Sequence, residues 1–583
     1  MNSENFKIVS VSSNALIIEI VDPSKFSGEF SIGSYVGVPC REYAGQHVVG
    51  VIDNYKVKDN YVTDAISPAK SPSFLLDVKL IGMLHETDEG MIFKRGGHGI
   101  PLPPNNSIRI LEAKELDDIY STDLTLKDKL TFSSLVNSHN TRVPINGNKF
   151  FNKHFAVVGS TGSGKSHTVA KLLQSAADSK HGNFEGLNNS HIVIFDIHGE
   201  YKSAFPNCNY LNSEKLKIPY WLFDGEELSE LFIESSENNS YNQVSQFRYA
   251  VIENKKLHNE GKKVFFDSPL KFDIHEVMRY IKNMNSELIN KKKGRKPEDK
   301  DNKSFESRIP EYFQNEYEFD KLSADFVNGP YTGDFERFIM RLENTISNSR
   351  LDFLFKNVDE LTIEGVLEQF LGYQKNNEAN VTVIDLSGIP FEVLSITVSL
   401  ISRILFEFGY YYKRLLSQQS DCETPILLVY EEAHKYVPRS DLTRYRASKN
   451  AIERIAKEGR KYGVTLAIVS QRPSEVSETI FSQCSNFVAM RLTNPDDQSY
   501  VRKLLPDTSG DLISNLPTLQ SGEALIIGDS IIIPSMVKID KCIATPNSVD
   551  IAFFSKWSEN WKDVEFESVT GLWKPSDILE LDI

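Results

Sequence analysis

Residues 155–169 read FAVVGSTGSGKSHTV. An apolar run from Phe155 to Val158 meets the turn Gly159-Ser160-Thr161-Gly162-Ser163-Gly164-Lys165-Ser166, and a helix-compatible segment opens at His167. The pattern is G-x-x-x-x-G-K-[ST] in strand–loop–helix order. Glycines let backbone N–H groups wrap a phosphate, and the helix N-terminus adds the positive end of its dipole. Lys165 is placed to reach the β- and γ-phosphates of ATP, and the Ser166 hydroxyl to ligate Mg2+. Residues 159–167 are the expected nucleotide-binding set.

Downstream, three apolar runs end in polar groups, and α/β sheets put ligands at the C-terminal ends of strands. HIVIFDIHGEY (191–201) ends in Asp196, His198 and Glu200. PILLVYEEAHKYV (425–437) ends in Glu431 and Glu432. The first acid is expected to hold Mg2+, directly or through water, and Glu432 to polarise the attacking water. VTLAIVSQRP (464–473) ends at Gln471, either a γ-phosphate sensor or an amide capping the strand. In IERIAKEGRKYG, Arg460 falls at the edge of the apolar stripe in the last helical turn. It is either a solvated cation at a helix C-terminus or an arginine finger for a nucleotide on the adjacent subunit. Arg142 is the second candidate finger, or a linker arginine. After the acid pair, PRSDLTRYRASK carries Arg439, Arg444, Arg446 and Lys449, which could grip DNA phosphates or form a solvated basic loop.

The chain has 583 residues, too many for one core, so several domains are expected. Residues 1–115 hold short Val/Ile-rich runs between turns, the pattern of a small barrel or sandwich. Residues 116–145 are a polar connector. Residues 146–211 and 381–540 form the two parts of an α/β core. Residues 212–380 read as a mostly helical insertion containing the basic run Lys291–Pro297, either a DNA-contacting arm or a disordered exposed loop. Residues 541–583 form a tail with Trp557, Trp561 and Trp573, expected to pack on its own core or on a neighbouring subunit. The net charge of −15 argues against a surface coated with cations for nucleic acid, so DNA contact has to be local. Five scattered cysteines and no visible signal peptide point to the cytoplasm. The apolar stretch 391–408 carries Glu392, Arg403 and Glu407 and reads as a buried helix, not a membrane span.

Together, KHFAVVGSTGSGKSHTVAKLL, VIFDIHGEY, LLVYEEAHKYVP, IAKEGRKYGVTLAIVSQRPSEV and LPTLQSGEALIIGD resemble the HerA branch of the HerA/FtsK superfamily of motor ATPases. The resemblance spans most of the chain outside 212–380. It implies an N-terminal small β-barrel and a RecA-like P-loop core in a ring, commonly a hexamer. ATP hydrolysis at subunit interfaces would drive duplex DNA through the pore. Family members work with a nuclease, and bacterial relatives with other effectors, including sirtuin-like NAD hydrolases, in anti-phage defence. Two alternatives follow: a nucleotide-controlled ring scaffold that regulates a partner effector, and a protein pump of the secretion-ATPase kind.

Overall fold

The computed structural model describes residues 6–12, 14–21, 30–40, 45–58, 73–87, 90–96, 108–138, 140–182, 184–234, 239–321, 323–416, 423–440, 446–504, 510–548 and 551–571. The Val/Ile alternation of the N-terminal region produces strands with one buried face: Leu16, Ile18 and Ile20 point inward from β2 (Ala15–Ile20). Next to it lies β1 (Phe6–Val11), and the others are β3 (Tyr35–Pro39), β4 (Gln46–Lys58), β5 (Ser73–Thr87), β6 (Gly90–Arg95) and β7 (Arg109–Ile110). They form an antiparallel sheet in the order β1-β2-β5-β4-β3-β7, with β6 paired to β5. Its own core holds Val36, Val38, Val48 and Leu76. Val49, Leu84 and Phe93 instead join the core of the next sheet, so the two layers share buried surface. At their junction the Tyr120 hydroxyl lies 2.7 Å from both the Tyr35 hydroxyl and Ser535 Oγ.

The second sheet carries the P-loop. Its early strands are β8 (Lys129–Leu135), β9 (Arg142–Asn146), β10 (His154–Val158), β11 (His191–Asp196) and β12 (Asn209–Leu211). The insertion contributes a separate small sheet of β13 (Leu288–Asn290), β14 (Lys296–Pro297) and β15 (Phe326–Asn328). The large sheet resumes with β16 (Val381–Asp385), β17 (Ile426–Tyr430), β18 (Val464–Ser470), β19 (Cys484–Met490), β20 (Glu523–Gly528) and β21 (Ser535–Ile539). Its order is β12-β16-β11-β17-β18-β10-β19-β20-β21-β8-β9. Strands from β12 to β19 run parallel and those from β20 to β9 antiparallel. The parallel strands are mostly apolar along their middles because both faces are covered. Ala156 and Val158 face one core, Phe155 and Val157 the other. One strand, β18, separates the P-loop strand from the acid-bearing β17.

The insertion shares the first of those cores. Phe272, Val277, Tyr280, Phe338 and Phe370 are buried in the same cluster as Leu428 and Ile468 of the large sheet. Its helices include Gly225–Phe232, capped by Asp224 with Glu227 in a capping box, and Ile274–Ser286, capped by Asp273. The buried guanidinium of Arg403 ties the insertion to the core helix Phe391–Leu416 through Glu227 at 2.8 Å and Asp224 at 3.3 Å. Val393–Leu416 is long and apolar enough to cross a membrane, but most of its apolar window is buried, as a core helix requires. The basic run is an ordered turn whose lysines meet acids of the insertion: Lys292 with Asp325, Lys293 with Glu298, Lys296 with Glu306.

Residues 547–583 form a second compact unit. Its described part carries short helices at Phe553–Trp557 and Phe566–Gly571, with Trp557 and Trp561 exposed; Trp573 lies outside the described residues. The division falls six residues later than the sequence suggests, because 541–546 is strapped to the large unit. Gln174 Nε2 donates to the Ala544 carbonyl and Ser203 Oγ to that of Thr545.

Candidate functional site

The P-loop has the shape its glycines permit. Gly164, the residue before the helix Lys165–Ala177, sits at φ +97°, where a side chain is strained. Lys165 folds back, its Nζ 3.5 Å from the Ser160 carbonyl. Burial lowers its pKa, opposed in turn by the negative charges of Glu432, Glu431 and Glu200. The fold therefore brings the lysine and the acid pair close enough for their charges to act on one another, although they are far apart in the chain.

Glu431 and Glu432 leave the end of β17 in different ways. Glu432 adopts φ +47°, ψ +47°, a left-handed conformation uncommon for a residue with a side chain. That turn aims its carboxylate at His434, whose Nδ1 is 3.3 Å from Glu432 Oε2 and also 3.3 Å from Ser470 Oγ at the end of β18. Burial holds the His434 pKa down despite Glu432, so the ring is neutral at neutral pH. Glu431 is buried, and its pKa is pushed well above the carboxylate range by desolvation first and then by the charges of Asp196, Glu200 and Glu432. One carboxylate oxygen each of Glu200 and Glu431 is buried with no hydrogen-bond partner, and the buried Glu432 Oε2 faces the His434 ring 3.3 Å away. Orphaned oxygens of this kind suit a hard divalent cation. Among the described residues no three His, Cys, Asp or Glu groups are arranged to cage a metal. Mg2+, which takes one or two carboxylates and completes its shell with phosphate oxygens and water, is compatible with this set.

The Asp-x-His-Gly-Glu-Tyr motif divides its labour. Asp196 is fully buried and accepts from the backbone N–H groups of His198, Gly199 and Tyr201 at 3.2, 2.8 and 2.9 Å, which fixes the loop. That loop turns Glu200 toward Lys165 and Glu431. His198 Nε2 lies 3.5 Å from Lys435 Nζ. Beside the P-loop strand, at the end of the neighbouring β18, Thr161 Oγ1 donates to Gln471 Oε1 at 2.7 Å, so Gln471 touches the phosphate loop directly.

Other sequence candidates stand elsewhere. The His167 ring accepts from Cys542 N–H at 3.2 Å, so its side chain faces the 541–546 strap. Arg142 makes a two-pronged ion pair with Asp540, at 2.8 and 2.5 Å. Arg460 is exposed and close enough to His154, the first residue of β10, for its charge to lower that imidazole's pKa. It precedes β18 whereas Gln471 follows it, which puts Arg460 about 20 Å, one strand length, from its own P-loop. Arg439 pairs loosely with Glu478, Arg446 turns to Glu226 of the insertion, and Lys449 Nζ lies 3.5 Å from the Arg439 carbonyl. Arg444 lies outside the described residues. Sequence reading did not single out Glu200 as a site residue on its own, nor Arg491, whose guanidinium lies beside the P-loop.

The family model for the central domain of the helicase HerA matches residues 130–405. The DNA double-strand break repair helicase HerA of Saccharolobus solfataricus is 30% identical over 443 residues, covering 75% of this chain and 73% of that protein. The probable DNA double-strand break repair helicase HerA of Methanocaldococcus jannaschii is 26% identical over 542 residues, covering 88% of this chain and 92% of its own. Among solved structures, VirB4 of Thermoanaerobacter pseudethanolicus aligns with a TM-score of 0.44 at 13% identity, over 72% of this chain and 98% of that one. With phosphate loop, lysine and acid pair gathered at one sheet edge, and with these relatives along most of its length, the chain belongs to the HerA helicase family and is an ATPase.

Proposed function

We propose that this ATPase is a ring motor, a hexamer with a RecA-like core and an N-terminal small β-barrel, that hydrolyses ATP with Mg2+ and moves duplex DNA. The observation that carries the reading is a separation. Lys165, Glu431, Glu432 and Gln471 meet at one end of β10, β17 and β18, while the exposed cation Arg460 stands at the other end. A finger so placed serves only a nucleotide bound by another copy, and a closed ring supplies each site with one. Arg142, occupied by Asp540, is the weaker candidate.

In this reading the loop 159–167 cradles the phosphates and Lys165 holds the β- and γ-oxygens. Ser166 and Glu431 hold Mg2+, which neutralises charge on the phosphate oxygens when bound. Glu432 takes the proton of the attacking water, and Gln471 registers the γ-phosphate through its contact with Thr161. Arg439, Arg444, Arg446 and Lys449 contact DNA phosphates without reading bases. A partner nuclease or NAD-hydrolase effector, a place in anti-phage defence and a cytoplasmic location complete the reading. Turnover measured with and without duplex DNA, alongside native mass with and without ATP, tests it. The expected result is DNA-stimulated hydrolysis by a ring; a chain that stays monomeric with every nucleotide refutes it.

A second reading, a nucleotide-controlled scaffold for an effector, is favoured by the exposed aromatic residues Phe554, Trp557, Trp561 and Phe566, since clustered exposed apolar groups mark interaction sites. Retained effector function in Glu432→Gln rings that no longer hydrolyse ATP supports the scaffold.

A further inference from the structure

The P-loop lies between two strand ends. On the β18 side stand Gln471 and, beyond it, the acids of β17; on the other side β19 runs parallel to β10 and ends at Met490. The next residues are fastened to the loop. Ser160 N–H donates to the Arg491 carbonyl at 2.7 Å, Thr493 N–H donates to Ser160 Oγ at 3.2 Å, and the hydroxyls of Ser160 and Thr493 are 3.3 Å apart. These bonds fix the register of Arg491 against the loop. A methyl group built on Gly162, at the loop's tip, would lie 3.8 Å from Arg491 Nη2. Arg491 is half-buried, and its guanidinium has no ion pair and no side-chain hydrogen bond among the described residues. A half-buried cation with five unused donors beside a phosphate loop is poised for an oxyanion.

The side of the loop decides which one. The groups that act on the γ-phosphate, Glu432 and Gln471, lie toward β17 and β18, so the rest of the nucleotide extends toward β19. Resting on the nucleotide-binding role proposed above, we infer that Arg491 is a ligand of the α- and β-phosphates, the part that ATP and ADP share. It thereby works in cis, on the nucleotide of its own subunit, in contrast to Arg460.

The test uses the full chain with Arg491→Gln, Arg491→Lys and wild type. Affinities for ADP and for a slowly hydrolysed ATP analogue are measured by titration, with KM and kcat from steady-state turnover. Arg491→Gln is expected to weaken both nucleotides about 10- to 100-fold, the range for losing one charge-assisted contact. KM rises by a similar factor and kcat stays within about threefold, because the contact is made equally before and during the reaction. Arg491→Lys recovers part of the affinity, a point charge replacing a planar fork. Unchanged affinity in Arg491→Gln overturns the inference, as does weakening of the ATP analogue alone, which would place the side chain at the γ-phosphate. If Arg491→Gln does not fold, Arg491→Lys decides: affinity for both nucleotides equal to or below one-hundredth of wild type, or no change at all, each overturns it. Failure of wild type to bind either nucleotide would instead refute nucleotide binding itself.

Discussion

Glu432 combines a left-handed backbone with a buried carboxylate set against the His434 ring. Strained residues of this kind gather where chemistry requires a fixed geometry. Replacing it with Gln keeps the shape and removes the base. Turnover is expected to fall by about 100-fold or more while nucleotide affinity is kept, as single-turnover assay and titration will show. His154 is the other residue whose chemistry is set by its place. Its Nδ1 accepts from Leu466 N–H at 3.0 Å and its Nε2 donates to the Ala456 carbonyl at 2.9 Å, so the neutral ring is locked between β18 and the helix Arg446–Glu458. Burial takes its pKa down to about 4, so the folded chain resists a proton that the unfolded chain accepts. This contribution is full above about pH 6.5 and is lost as pH falls toward 4, amounting to roughly 3 kcal/mol. Denaturant melts should show wild type losing stability relative to His154→Gln as pH falls from about 6.5 through 4, because Gln has no ring to protonate.

At the scale of elements, the helix Arg446–Glu458 joins the site to the insertion. Its N-terminal Ala447 N–H donates to Glu230 Oε2 at 3.1 Å, and Asn450 Nδ2 reaches Glu226 at 3.2 Å. Burial raises the Glu230 pKa to about 7. A carboxyl raised in this way opposes folding while ionised, so its penalty is present above pH 7 and vanishes as pH falls toward the free value. Glu230→Gln, which keeps an acceptor for Ala447, should stabilise the chain at pH 8 by on the order of 1 kcal/mol, after allowance for partial exposure, and not at pH 5. Thermal melts at the two pH values measure it. This scale also shows what sequence could convey. The P-loop and the acid pair are legible because each is a contiguous run whose chemistry depends on neighbours in the chain. Arg491 is a single cation after an ordinary strand, and only the pairing of β19 with β10 gives it meaning. The lysine run 291–297 reads as an arm or loop because two of its three acids, at 306 and 325, are not adjacent in sequence. The strap 541–546 reads as tail because its hold on the core is a few hydrogen bonds to Gln174, Ser203 and His167, which leave no pattern.

For the whole molecule, the decisive prediction concerns complementation between subunits. Lys165→Ala and Arg460→Ala should each be inactive alone. Mixed in equal amounts and allowed to reassemble, they should recover roughly a quarter of the sites if assembly is random, because an intact loop then meets an intact finger. Hydrolysis no greater than either parent would show that each chain completes its own site. The sheet has another consequence, for biosynthesis. His154 finds its partner Leu466 312 positions later. At about 5–20 residues per second, the ribosome leaves β10 and its loop without a neighbour on the β18 side for roughly 15–60 s. The nucleotide pocket is therefore among the last features the nascent polypeptide completes, and a truncated product released during that interval carries an open apolar strand that chaperones must shield.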